Sequence, residues 1–159
     1  MISNTSPLQY LHQVGGLDLL RTLVGTLVIP PAVVRELAEG RARGIDLPDP
    51  ESLDWIVVRV PRSTPALPLL ADLGPGEAEV LALVLESAGA VAILDDALAR
   101  RMAESLHLPL TGTLGVLVDA KKAGLLHAVA PLLDSLDALG FRLASRTRAA
   151  VLALAGEAP

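Results

Sequence analysis

Two short stretches place carboxylates where an α/β protein keeps its chemistry. Val91-Ala92-Ile93-Leu94 is a run of four apolar residues that ends abruptly in Asp95-Asp96. Leu73-Gly74-Pro75-Gly76 leads into Glu77-Ala78-Glu79. An unbroken apolar run of this kind reads as a strand buried on both faces of a parallel sheet. Ligands of such sheets sit beyond the carboxyl ends of the strands, so Asp95 and Asp96 stand at the reactive edge. Glu77 and Glu79 open the helix before that strand, and Glu36, within Val34-Arg35-Glu36-Leu37, adds an acid on an earlier helix. Carboxylates gathered at one sheet edge suit Mg²⁺ or Mn²⁺, hard cations that prefer oxygen ligands. Such ions orient a water, lower its pKa and stabilise charge on a scissile phosphate. Without them the like charges repel, and some carboxyl pKa values rise. Each acid also has a plain structural alternative. Glu36 reads as a surface glutamate, Glu77 and Glu79 as partners of a helix dipole, and Asp96 as a helix cap.

The elements that must position these groups alternate along the chain. Met1 to Ser3 reads as a strand stub. Ser6-Pro7 is a cap followed by a first-turn proline, and starts a helix through Leu8 to Val14. Leu17 to Leu23 is a second short helix, and Leu27 to Ile29 a strand. Pro31 starts a helix that stops at Gly40, followed by a loop from Arg41 to Ser52. Trp55 to Val60 reads as a strand and Pro61 to Pro68 as a proline-rich connection. Then come a helix from Gly76 to Ser87, the strand Val91 to Leu94, a helix from Asp96 to Leu106 and a short strand at Pro109 to Thr111. Leu114 to Ala123 is helical, as is most of Leu125 to Leu139, with Pro131 suggesting a break or a second start. Phe141 to Leu143 reads as a short strand and Thr147 to Ala155 as a last helix. Strands alternating with helices imply an α/β fold with a mostly parallel sheet.

Composition narrows the function classes. At 159 residues the chain fits one domain with a sizeable core. The hydrophobic fraction is 52%, and mean hydropathy is +0.52. No apolar stretch reaches the roughly 18 residues of a membrane span, and the start Met1-Ile2-Ser3-Asn4 lacks the pattern of a signal peptide. There is no cysteine, hence no disulfide, zinc–thiolate site or cysteine nucleophile, which fits a cytoplasmic protein. The net charge of -5 argues against a general nucleic-acid coat but not against a nuclease, whose acids a metal neutralises while local arginines hold phosphate. His12, His107 and His127 lack metal-ligand spacing, Gly74-Pro75-Gly76 lacks the lysine of a P-loop, and no Gly-x-Ser-x-Gly elbow is present. With only Tyr10, Trp55 and Phe141 as aromatics, composition speaks against a stacking platform for single strands.

Taken in order, the landmarks resemble a known family. They are Ile2-Ser3-Asn4-Thr5-Ser6-Pro7-Leu8, Ile29-Pro30-Pro31-Ala32-Val33 with Glu36-Leu37, Gly76-Glu77-Ala78-Glu79, Leu94-Asp95-Asp96 with Ala99-Arg100-Arg101, Gly112-Thr113-Leu114-Gly115-Val116-Leu117, and Gly140-Phe141-Arg142-Leu143. Their order is similar to that of PIN domains, of the DUF3368-type PIN-like subfamily, over nearly the whole chain. The resemblance implies a single three-layer α/β/α domain over residues 1–159 with a central, mostly parallel sheet. It implies an Mg²⁺- or Mn²⁺-dependent endoribonuclease, the toxin of a type II toxin–antitoxin pair, acting on RNA, inhibited by an antitoxin protein and forming a homodimer.

By position, the family's acids fall on Asn4, on Glu36, on Glu77 or Glu79, and on Asp95 or Asp96. Thr5 and Ser6 match the hydroxyl residues that support the first ligand. Arg100 and Arg101 are candidates to meet RNA phosphate. Asn4 departs from the pattern, because an amide oxygen ligates a cation without bringing charge; as a plain residue it would be a turn former. The alternative reading is a catalytically weak or inactive PIN-fold protein–protein interaction module. A metal-dependent phosphatase-like enzyme would need an aspartate nucleophile after the first strand, and Asn4 speaks against it.

Overall fold

The computed structural model describes residues 1–63 and 71–157. The expected connection Pro61 to Pro68 lies outside the described residues from position 64 onward. Five strands, β1 (Ile2–Ser3), β2 (Leu27–Ile29), β3 (Ile56–Val58), β4 (Ala92–Ile93) and β5 (Leu110–Thr111), form one sheet in the order β3-β2-β1-β4-β5. Every pairing is parallel: Ile2 lies opposite Val28 on one side and Ala92 on the other, Leu27 opposite Ile56, and Ala92 opposite Leu110. The chain thus winds outward from β1 to β3, returns to the far side of β1 for β4, and winds outward again. The gap between β1 and β4 is the topological switch point, where sheets of this class open a crevice.

The strands are short and apolar because both faces are covered. Ile2, Leu27, Ile29, Ala92, Ile93 and Leu94 are all buried. Among the described residues eight helices flank the sheet, in the expected three-layer α/β/α arrangement. These are α1 (Thr5–Gln13), α2 (Leu17–Val24), α3 (Pro31–Ala42), α4 (Pro75–Glu86), α5 (Ala97–Ser105), α6 (Thr113–Lys122), α7 (Ala130–Ala138) and α8 (Ser145–Leu154). Helix α2 packs on α6, which also meets α8, while α3 packs on α4 and α4 on α5. In α4 the consecutive residues Val80, Leu81, Ala82, Leu83 and Val84 are all buried, as expected of a helix enclosed all round. The core is aliphatic, and each fully buried leucine stabilises it by about 2 kcal/mol.

Four expectations change. Ser6 is not the cap of α1, because the helix already begins at Thr5 with Asn4 in the cap position. The reading of Phe141 to Leu143 as a strand is corrected to irregular structure. There the backbone closes α7 instead: Gly140 adopts a φ of +84°, its N–H meets Asp137 O, and Phe141 N–H meets Leu136 O. This Schellman turn uses the groups a ladder would need. The helical reading of Leu125 to Leu139 shrinks to a helix from Ala130, whose start is set by Glu157 accepting from Val129 N–H and Ala130 N–H. The loop expected from Arg41 to Ser52 is shorter, because α3 runs on to Ala42 and Pro50–Ser52 form a 3₁₀ turn on Asp49.

Candidate active site

Asn4 directly follows β1 and Asp95 comes two residues after β4, so both stand at the carboxyl edge of adjacent strands. Asn4 is only 2% exposed and occupies the cap position of α1, yet its side chain caps nothing. Its Nδ2 donates instead to Glu77 Oε1 at 2.8 Å. Its Oδ1 is buried without a hydrogen-bond partner. Glu36 accepts from Gly76 N–H at 3.0 Å and from the Thr5 hydroxyl. A methyl group on Gly76 would stand 2.5 Å from Asn4 Oδ1 and 2.8 Å from both Glu36 carboxylate oxygens. Only glycine permits this approach of the α4 backbone, and three oxygens converge there.

Asp95 is held from the other side. Its Oδ1 accepts from Thr113 N–H at 2.8 Å, and its Oδ2 from the Thr113 hydroxyl at 2.6 Å. The clamp closes over Gly112, where a Cβ would lie 2.8 Å from Asp95 Oδ1 and 2.9 Å from Leu94 O. Burial pushes the Asp95 carboxyl above the ordinary aspartate range; the two bonds from Thr113 and the charge of Arg100 oppose that shift without cancelling it. The charged form of this carboxyl is therefore less favoured than in water, a pattern that clusters at functional sites. Glu77 and Asp95 wall one cleft of about 380 Å³ together with Ser6, Tyr10, Asp96, Gly140, Phe141 and Arg142. A second hollow of about 370 Å³ adjoins it and shares Asp95, Phe141 and Arg142.

Other residues singled out from the sequence do different work. Glu79 accepts from Ala32 N–H at 2.8 Å and lies 3.7 Å from Arg35, so it anchors the start of α3. Asp96 caps α5 by accepting from Ala99 N–H at 2.8 Å, while still lining the cleft. Arg100 donates to Leu94 O and Thr111 O and ties the ends of β4 and β5 together. Arg101 is exposed beside Leu98, Met102 and Ser105, away from the acids. Sequence reasoning missed Gly76, Thr113, Tyr10, Phe141 and Arg142 as parts of the site. Thr113 carried a usable signal, since Gly112-Thr113 opens a helix directly after a strand.

Among the described residues, no three His, Cys, Asp or Glu side chains gather closely enough to hold a metal ion by themselves. The oxygens that do converge include an amide. Glu36 has its donors in Gly76 N–H and Thr5, but Asn4 Oδ1, converging on the same Gly76 Cα, has none. A hard cation satisfies such an all-oxygen set, and the orphaned Asn4 oxygen fits that role. A larger hollow of about 560 Å³ lies against α3 and β3, walled by Pro31, Val34, Leu53, Ile56 and Val58, and shares no residue with the acidic cleft.

A family model described as a PIN domain, of the DUF3368 type, matches residues 1–157. No curated protein and no solved structure matches the chain. Among the described residues no helix is long and apolar enough to cross a membrane.

Proposed function

From the premise that this chain belongs to the PIN domain family, a nuclease-type fold whose members generally use divalent metal ions, we propose that it is an endoribonuclease dependent on Mg²⁺ or Mn²⁺. We read it as the cytoplasmic toxin of a type II toxin–antitoxin pair, a homodimer held in check by an antitoxin protein. The observation that carries the enzymatic reading is the unpartnered, buried Asn4 Oδ1 beside Glu36 at the switch point of the sheet.

Asn4, Glu36, Glu77 and Asp95 are the residues that would hold the ion. When bound, it supplies an oriented water of lowered pKa and charge stabilisation at the scissile phosphate. The chain does the rest. Thr5 fixes one Glu36 oxygen and Gly76 N–H the other. The Asn4 amide holds Glu77 in place. Thr113 orients Asp95 through both carboxylate oxygens. Glu79 and Asp96 act as helix anchors.

The test is cleavage of a pool of structured RNAs by the purified chain with Mn²⁺, with Mg²⁺ and with EDTA, beside Asp95→Asn and Glu77→Gln. Cutting that needs metal and is lost in both variants supports the reading. A folded protein that cuts nothing and binds no Mn²⁺ in calorimetry overturns it. The interaction module then becomes the better account, in line with the Asn4 amide already satisfying Glu77 without a cation.

A further inference from the structure

Only three aromatic residues occur in the chain, and two of them meet at the mouth of the acidic cleft. Tyr10 comes from α1 and Phe141 from the turn after α7, yet their ring centroids lie 4.9 Å apart at an interplanar angle of 85°. Both rings are partly buried, and both line the cleft that holds Glu77 and Asp95. Phe141 and Arg142 also line the adjoining hollow, so they stand where the two spaces meet, with Asp95 common to both. Phe141 is held firmly, since its own N–H closes the Schellman turn of α7. Arg142 is exposed and pairs with no acid among the described residues.

We infer that Tyr10, Phe141 and Arg142 form a nucleotide-binding subsite, in which one unpaired base of single-stranded RNA stacks on the aromatic pair and Arg142 takes a phosphate. The inference rests on the ribonuclease reading and adds to it how the substrate is gripped. The cleft wall carries Glu77, Asp95 and Asp96, and these repel a polyanion. Stacking is indifferent to that repulsion, and every base offers a π-face. The subsite therefore favours unpaired RNA with little sequence preference. A base locked in a duplex does not reach it. Gripping one base brings the neighbouring phosphodiester to the Asp95 end of the same cleft.

The test compares wild type with Phe141→Leu and Phe141→Tyr in two measurements. One is Mn²⁺-supported cleavage of a short single-stranded oligoribonucleotide. The other is binding, in EDTA, of the same oligonucleotide carrying 2-aminopurine, whose fluorescence stacking quenches. Phe141→Leu is expected to raise KM and Kd by about tenfold, the size of one lost base stack, with kcat little changed and the quench gone. Phe141→Tyr restores all three, a rescue that a merely structural packing role would not track. A folded Phe141→Leu with wild-type KM and quench overturns the subsite while leaving the nuclease reading intact. A wild type that neither cuts nor binds RNA overturns the nuclease reading and the subsite with it.

Discussion

Asp95 and Glu157 each pin the start of a helix with both carboxylate oxygens, yet their protons are held in opposite directions. Asp95 takes the Thr113 N–H and hydroxyl at the start of α6. Glu157 takes Val129 N–H at 2.6 Å and Ala130 N–H at 3.0 Å at the start of α7. Those two backbone bonds draw Glu157 below the ordinary glutamate range, with Lys121 assisting. Asp95 is drawn the same way by its bonds, but burial at the sheet edge outweighs them and lifts its pKa. Hydrogen bonds to a carboxylate favour its charge, and desolvation opposes it. At Glu157, itself only partly exposed, the bonds win and the charge is favoured. A carboxylate desolvated in a cleft gains more from a neighbouring cation or a proton than one whose charge is already favoured.

The largest expected difference between the two is catalytic. Asp95→Asn should lower metal-dependent RNA cleavage by about a hundredfold, whereas Glu157→Gln should cut as wild type does. Equal losses in the two variants would erase the distinction. Next in size, Gly112→Ala drives a methyl group into the Asp95 clamp and should lower folding stability by about 2 kcal/mol, read from urea denaturation. Asn4→Asp places a third acid beside Glu36 and Glu77. It should tighten Mn²⁺ binding in calorimetry and lower the melting temperature of the metal-free protein, because the Asn4 donor to Glu77 becomes a repelling acceptor.

The smallest effects concern pH. With a raised folded pKa, Asp95 contributes stability below the unfolded aspartate value, and that contribution is lost as pH rises through the folded pKa. In EDTA, Asp95→Asn should therefore melt above wild type at neutral pH, with the gain shrinking on acidification. Glu157, with a lowered folded pKa, contributes stability above the unfolded glutamate value, and that is lost as pH falls through the folded pKa. Glu157→Gln should melt below wild type at neutral pH, with the deficit closing in acid. Melting curves of the two variants that move in parallel with pH would contradict the contrast.

Local signals in the chain carried the elements well. Continuous apolar runs marked Leu27–Ile29 and Val91–Leu94 as strands, the second pairing over Ala92–Ile93, and Pro31 marked the start of α3. Long-range geometry was not legible. Glu77 and Glu79 look equivalent in sequence, but two positions along a helix amount to about 200° of rotation. One therefore meets Asn4 while the other turns to α3. Phe141 to Leu143 resembled a strand because the three residues are enough to extend, but Gly140 commits their backbone to closing α7. The Asp95–Thr113 clamp and the Tyr10–Phe141 pair join residues far apart in the chain; Gly112-Thr113 marks one end of the first, but no local pattern announces either pairing.

The placement of β1 bears on how the molecule comes into being. Its two residues lie in the middle of the sheet, hydrogen-bonded between β2 and β4, although they precede both partners in the chain. The central strand must wait for Ala92 and Ile93 before it has both neighbours, and such distant pairings form slowly. The cleft waits longer still, since one of its walls is Ser6 and Tyr10 and another is Phe141 and Arg142. A nascent chain that has passed Asp96 but not reached Phe141 carries the acids of the cleft without its last wall, so the cleft is complete only once the turn after α7 has folded back against α1.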